Sequence, residues 1–475
     1  MASPTLDLVT HDDARPASPA IHLTGGGTLT YGELAESVGA YERALRQDNK
    51  ALVLCAGDRD LPTLLAYLAA LRLGHTVAFL PASNEILAAY QPEFVVPAAG
   101  STADLSDFGY HPVAGTIIFQ RNNKSAGEIY TDTALLLATS GSTGSPKTVR
   151  LSYSGLADNT AAVIRALGIT AAERGPTTLP ITHAYGLSVL NTHLLAGAGV
   201  VLGDRPPLSL ATWDHLVRAG ATSFAAVPMT YAALGPSHAN LLGRSKIRTM
   251  TQSGSRLGDD LTMRLVRMMA QRDGRFFVMY GQTEATSRIA RLDPADLPRR
   301  LGSVGTAVPG GTITIRPAPV HARAVSGEGE VHYRGPGVML GYATCRADLC
   351  RGAEVDVLDT GDLGYLRDGY LYLTGRRKRI VKVLGIRTSL DDLERMVDRS
   401  GHPAAVLCGT DDVLHLFGAG DAAVHEQQRR QLVESLGVPS RHVVFRQLDH
   451  LPRTPGGKVD YRTLATVLDS LGRLG

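Results

Sequence analysis

The stretch Thr139-Ser-Gly-Ser-Thr-Gly-Ser-Pro-Lys147 gathers glycines, hydroxyl side chains and one lysine into a single loop, directly after the apolar run Ala134 to Ala138. Glycines let backbone N–H groups approach an anion, hydroxyls add donors, and the lysine adds a point charge. The stretch therefore reads as a phosphate-binding loop made by Thr139, Ser140, Gly141, Ser142, Thr143, Gly144 and Lys147. It is not a Walker loop. Counting G-x-x-x-x-G-K-[ST] from Gly141 puts Pro146 where the second glycine belongs, and proline has no N–H to donate and a fixed φ. A second lysine stands out in Pro452-Arg-Thr-Pro-Gly-Gly-Lys458: the chain has 7 lysines against 41 arginines, and this one sits inside a Gly-Gly turn.

Elements that could position these groups follow from hydrophobic pattern. Leu52 to Cys55 reads as a buried strand, Leu61 to Leu73 as a helix and Thr76 to Leu80 as the next strand, a βαβ rhythm that predicts parallel sheets flanked by helices. Phe224 to Val227, Ile247 to Thr251 and Phe276 to Met279 are short apolar strands, each followed by a polar loop. Open α/β sheets bind ligands at such carboxyl ends. Ser253-Gly254-Ser255 and Tyr280-Gly281-Gln282-Thr283-Glu284 both fall there. Beyond Gly302, the segments Thr312 to Arg316, Glu330 to Tyr333 and Tyr370 to Thr374 alternate and predict an antiparallel β region.

Taken in order, these motifs resemble those of the adenylate-forming (AMP-binding) enzymes, the superfamily of acyl-CoA synthetases, peptide-synthetase adenylation domains and luciferases. The glycine-rich loop is followed by Tyr280 to Glu284, then Gly302-Ser-Val-Gly305 with Pro309-Gly310, and Gly329-Glu330 with Arg334-Gly-Pro336 and Gly341-Tyr342. Thr360-Gly-Asp362, Gly375-Arg376 and the Lys458 loop complete the series. The resemblance covers about residues 20 to 465 and is closest to acyl-CoA synthetases and related acid ligases. It implies an α/β fold: a large N-terminal domain of parallel-type sheets flanked by helices, with a β-barrel-like subdomain, then a small mobile α+β C-terminal domain. The division implied is residues 1–376, with the ATP and acid pockets, and 377–475, with the catalytic lysine.

The implied activity is an ATP-dependent acid ligase. It activates a small carboxylic acid as acyl-AMP with release of pyrophosphate, then transfers the acyl group to the thiol of CoA or of a phosphopantetheinyl carrier protein. The resemblance gives Glu284 to Mg²⁺, Thr139 to Lys147 to the outer phosphates of ATP, Thr283 to the α-phosphate, and Lys458 to the carboxylate and α-phosphate oxygens. It gives Tyr280 to adenine, with Ser253, Gly254, Ser255, Gly281 and Gln282 nearby. Asp362 and Arg376 fall to the ribose, and Lys382 to a cationic rim. In Leu179-Pro-Ile-Thr-His183-Ala-Tyr185-Gly186, His183 would gate the carboxylate, and Tyr185, Gly186 and Met229 would line the acid pocket. Lys378 stands at the hinge, where the family usually has aspartate. Ser253-Gly-Ser255 replaces a common G-G-E. No aspartate for an α-ammonium occurs between Pro180 and Leu187, which disfavours a free α-amino acid, and the uncharged pocket residues suit an apolar fatty or aryl acid. Two other readings remain: adenylation of an acid, nitrous acid included, for attack by an amine, and a non-catalytic nucleotide-binding protein.

Composition bounds the partners. The 475 residues exceed one core, 44% are hydrophobic, and a net charge of +3 is too small to predict nucleic acid or an anionic membrane surface. The basic excess is local and peaks in Arg376-Arg-Lys-Arg379 with Lys382. Four scattered cysteines, no basic-then-apolar N-terminal segment and no apolar run of membrane-spanning length predict a protein of the reducing cytoplasm with no membrane insertion.

Overall fold

The computed structural model describes residues 4–10, 15–98, 100–101, 105–122, 127–138, 147–317, 325–384, 386–398, 402–409, 412–454 and 457–472. Thr139, Ser140, Gly141, Ser142, Thr143 and Gly144 lie outside the described residues. The chain forms two compact units, Met1–Thr312 with Tyr333–Leu358, and Ile313–His332 with Asp359–Gly475.

In the larger unit, the apolar runs Leu52–Cys55, Thr76–Phe79, Phe94–Val96 and Thr133–Ala138 form the parallel centre of an eight-stranded sheet. The first two strands are buried at every position, as strands covered on both faces must be. The helix Leu61–Arg72 supplies part of that cover and starts where Asp60 accepts from the Thr63 amide. Thr148–Ser152 and Gly341–Ala343 continue this sheet antiparallel at one edge. A second sheet aligns Ser223–Ala226, Thr249–Gln252 and Arg275–Tyr280 in parallel, then Ala290–Leu292 and Thr306–Ala307 antiparallel. Ile247 and Arg248 precede their strand rather than opening it. A four-stranded sheet of Arg174–Pro176, Gly199–Val201, Pro19–His22 and Thr28–Thr30 completes the sheets of the unit.

The smaller unit holds most of a four-stranded sheet of Thr312–Pro317, Gly329–Arg334, Leu358–Arg367 and Tyr370–Arg376, the last two paired antiparallel. A hairpin, Ile380–Val383 with Ile386–Ser389, leads into a three-stranded sheet, Ala404–Cys408, Leu414–Ala419 and Val443–Leu448. Its core joins Val383, Leu393, Val406, Leu416 and Leu432. Among the described residues, no helix is long and apolar enough to cross a membrane.

One buried ion pair ties the segment after Gly341–Ala343 to the large sheet. Arg346 Nη1 and Nη2 donate to the two carboxylate oxygens of Glu93 at 2.9 and 2.7 Å, and the Leu52 amide donates to the same carboxylate at 2.7 Å. Both side chains are 7% exposed, so each charge depends on the other. Arg346→Met should therefore cost about 3–5 kcal/mol, because it leaves Glu93 buried and unpaired. Urea unfolding measures it, and adding Glu93→Gln to Arg346→Met should recover much of the loss.

Candidate functional site

Three neighbouring parallel strands of the second sheet end side by side. Ser223–Ala226 runs into Val227 and the short helix Pro228–Ala232, which carries the exposed Met229. Thr249–Gln252 runs into Ser253, Gly254 and Ser255, and the Gln252 side-chain amide donates to the Ser255 carbonyl at 2.5 Å. Arg275–Tyr280 runs into Gly281, Gln282, Thr283 and Glu284. This is the edge where an α/β sheet exposes unsatisfied loop donors to a ligand.

The third of these turns is tightly held. A Cβ on Gly281 would lie 1.8 Å from the Ser287 carbonyl oxygen, so the chain doubles back on itself with no clearance. Thr286 closes the turn with φ 60° and ψ −48°, a costly conformation for a β-branched residue, and its hydroxyl donates to the Gly337 carbonyl at 2.8 Å. Tyr280 is 8% exposed at the strand end, and its carbonyl accepts from the Ile289 amide. The Gln282 Nε2 is buried without an acceptor among the described residues, which leaves a donor for a ligand.

Lys147 and Glu284 meet through a third residue. The Lys147 ammonium lies 3.6 Å from the centre of the Tyr342 ring, and the Tyr342 hydroxyl donates to Glu284 Oε1 at 3.1 Å. Arg150 Nε donates to the Tyr342 carbonyl, and the Arg150 side chain, fully buried, pairs with Glu354. Among the described residues neither Lys147 nor Glu284 has an oppositely charged partner. A half-buried carboxylate held only by a neutral phenol keeps its lone pairs for a hard cation, so Glu284 fits Mg²⁺.

The pocket block packs against the same unit. His183 stands exposed at the start of the helix Ala184–Leu195, and a Cβ on Gly186 would lie 2.1 Å from the Pro180 carbonyl oxygen. The Tyr185 hydroxyl donates to the Thr251 carbonyl at 2.8 Å, and burial pushes its pKa up to about 12. Tyr185 carries Arg288 against its ring, with the guanidinium 4.0 Å from the ring centre. Sequence reasoning missed Arg288. It is 3% exposed, and burial lowers its pKa to about 10. Nothing in its sequence context separates it from a solvent-facing arginine.

In the smaller unit, Asp362 is 6% exposed and accepts from Arg376 Nε at 3.1 Å, while its amide donates to Thr360 Oγ1. Exposed Lys378 lies between two anchored arginines. Arg377 pairs with Glu330 at 3.1 Å and Asp359 at 2.8 Å; Arg379 pairs with Asp391 at 2.5 Å and Glu394 at 2.7 Å. Lys382 is exposed in the hairpin, opposite Arg387. Half-buried Lys458 is presented by a turn in which the Thr454 amide donates to the Lys458 carbonyl, and the Gly457 amide to the Thr454 carbonyl, both at 2.8 Å.

The sequence pattern of AMP-binding enzymes matches residues 9–343. The chain is similar to the non-ribosomal peptide synthetase CmlP of Streptomyces venezuelae, 29% identical over 98% of this chain and 49% of that protein. It is similar to the indoleacetate–CoA ligase of Aromatoleum aromaticum, 33% identical over 68% of this chain and 65% of that protein. It thus spans about half the length of the first relative and about two thirds of the second. Its fold is similar to that of the o-succinylbenzoate CoA synthetase (MenE) of Bacillus subtilis, solved in complex with the acyl-adenylate OSB-AMP. That likeness has a TM-score of 0.74 at 23% identity, over 94% of this chain and 95% of that one.

The lack of clearance at Gly281 has a measurable consequence. Gly281→Ala should lower stability by about 1–3 kcal/mol through overpacking. Gly243→Ala, in the helix Pro236–Arg244 with open space at its Cβ, should raise it by about 0.4–1 kcal/mol. Thermal unfolding of the two variants should shift in opposite directions.

Proposed function

This chain belongs to the AMP-binding enzyme family, and from that premise we propose that it is an ATP-dependent acid ligase that makes an acyl-adenylate and passes the acyl group to the thiol of CoA. The observation that carries the reading is the pair Lys147 and Glu284, a cation over the ring face of Tyr342 and a carboxylate at its hydroxyl, each free of a counter-ion among the described residues.

The chemistry follows from the charges. A carboxylate is a poor acyl donor because its leaving group would be oxide. One carboxylate oxygen attacks the α-phosphorus of ATP, the bond to the bridging oxygen breaks, and pyrophosphate leaves with that electron pair. Lys147 and the loop Thr139 to Gly144 hold the outer phosphates, Thr283 donates to the α-phosphate, and Lys458 sits on the carboxylate and α-phosphate oxygens as charge shifts between them. Mg²⁺, when bound, screens the phosphate charge, and Glu284 is the residue that would hold it. Tyr280, with Ser253 to Ser255, Gly281 and Gln282, takes the adenine side. Asp362, fixed by Arg376, accepts from the ribose hydroxyls. His183 gates the acid, which lies against Tyr185, Gly186 and Met229. In the second step a thiolate attacks the acyl carbon and AMP leaves.

Both steps use one nucleotide, so the domain 377–475 turns about Lys378 relative to 1–376 and exchanges Lys458 for a face that admits the thiol, with Lys382 on its cationic rim. Similarity to a peptide synthetase over 98% of the chain supports a carrier-bound thiol as the second acceptor to test.

The test is pyrophosphate release from Mg·ATP over a panel of fatty, aryl and dicarboxylic acids, with and without CoA. Release with one acid class that becomes multiple-turnover with CoA is expected, and Lys458→Ala should lose at least about 100-fold in that rate while still binding ATP. Silence with every acid would sink the reading. Lys378→Pro should keep single-turnover pyrophosphate release and lose thioester formation. Equal loss of both half-reactions would refute the pivot.

A further inference from the structure

Among the described residues the other two buried arginines face acids: Arg346 has Glu93, and Arg150 has Glu354. Arg288 does not. Its Nη1 donates to Ser287 Oγ at 2.7 Å and to the Ser287 carbonyl at 3.2 Å, and its Nε points at Met279 Sδ at 3.4 Å. Nη2 has no acceptor among the described residues. Among the described residues no carboxylate is ion-paired with it, and the Tyr185 phenol acts on its charge.

The guanidinium lines a cavity of about 30 Å³ together with Tyr185, Ser188, Thr249, Thr251 and Met279. That is room for roughly two waters, about the size of a carboxylate group. Glu173 also reaches the wall of this cavity, but its carboxylate accepts from Thr222 Oγ1 at 2.5 Å and makes no ion pair with Arg288. Burying a guanidinium without a counter-charge is costly, and Nη2, the nitrogen left without an acceptor among the described residues, can donate to a carboxylate oxygen.

We propose that Arg288 binds a second anionic group on the acid, so that the substrate of the proposed ligase is a dicarboxylic acid. The inference rests on that ligase reading. The anion held by Arg288 is not the reacting carboxylate. Ion pairing with a guanidinium lowers a carboxylate's nucleophilicity, so the reacting carboxylate stays with Thr283 and Lys458, and its partner at the far end of the acid meets Arg288. The pocket is thus not uniformly uncharged, and a purely apolar fatty or aryl acid would leave its cation unmatched.

The experiment compares matched acids in the wild-type enzyme by pyrophosphate release: pentanoic against pentanedioic acid, hexanoic against hexanedioic, and phenylacetic against para-carboxyphenylacetic. At least one diacid should exceed its monoacid by about 100-fold or more in kcat/KM, as expected where a buried polar group must be matched. Arg288→Met should abolish that preference, and Arg288→Lys should restore part of it, because it keeps the charge and loses the fork. ATP titration of each variant checks that the nucleotide site is folded. Calorimetric titration with the same diacids gives a readout independent of turnover. Monoacids used as well as diacids, with a ratio unchanged by Arg288→Met, would overturn the proposal and leave the ligase reading standing. Silence with all acids would refute the ligase reading, while diacid binding that is lost in Arg288→Met would still support the anion site. Absence of binding by every diacid would overturn it. Should Arg288→Met fail to fold, the wild-type comparison decides alone.

Discussion

A cation and a carboxylate placed near one another neutralise each other unless something keeps them apart. In the larger unit that separator is Tyr342, whose ring face takes Lys147 and whose hydroxyl takes Glu284. A direct salt bridge would satisfy both groups internally and leave nothing to meet phosphate or a metal ion. The ring keeps both charges available. Its own position depends on the strand Gly341–Ala343, paired antiparallel with Thr148–Ser152, and on Arg150, which holds the Tyr342 carbonyl. Arg346, just beyond, anchors the segment to Glu93 and through it to the large sheet. A buried arginine and a buried ion pair therefore stand behind one aromatic ring.

The groups assigned to the nucleotide are supported differently in the two units. In the larger unit they sit in turns that leave no slack, with a strained Thr286 and a glycine that has no room for a methyl group. Such turns fix donors before a ligand arrives, so little order has to be imposed on binding. In the smaller unit Asp362 is held by Arg376, and the turn bearing Lys458 is closed by backbone hydrogen bonds and by Arg453 Nη1, which donates to the Gly457 carbonyl at 2.9 Å. Under the proposed two-step reaction, a rigid edge suits groups that stay with phosphate while the lysine loop is exchanged.

Much of this was readable from sequence because short-range rules govern it. Apolar runs such as Leu52 to Cys55 have one way to be buried on both faces, and a polar glycine-bearing turn after Phe276 to Met279 has to fall at a strand's carboxyl end. Ile247 and Arg248 were less legible, since apolar character alone does not mark where pairing with Ser223–Ala226 begins. Arg288 was illegible for a stronger reason. Within Thr286-Ser-Arg-Ile289 an arginine reads as solvent-facing, and only the Tyr185 ring, brought by a helix far earlier in the chain, shows it to be buried. Tyr342 was visible as part of a motif, but its work as a spacer depends on two residues distant in sequence.

The arginines on either side of Lys378 behave like the two bearings of an axle. Arg377 is clamped by Glu330 and Asp359 on one side, and Arg379 by Asp391 and Glu394 on the other, with its guanidinium 3.9 Å from the centre of the Tyr461 ring. In the proposed pivot about Lys378, torsion that spread into either neighbouring arginine would strain its ion pairs, which favours the two dihedral angles of the lysine between them. The bearings differ in depth: Arg377 is 42% exposed and Arg379 13% exposed. Dissolved salt therefore loosens the first well before the second. Ionic strength would act on this protein as a lubricant applied to one end of the shaft.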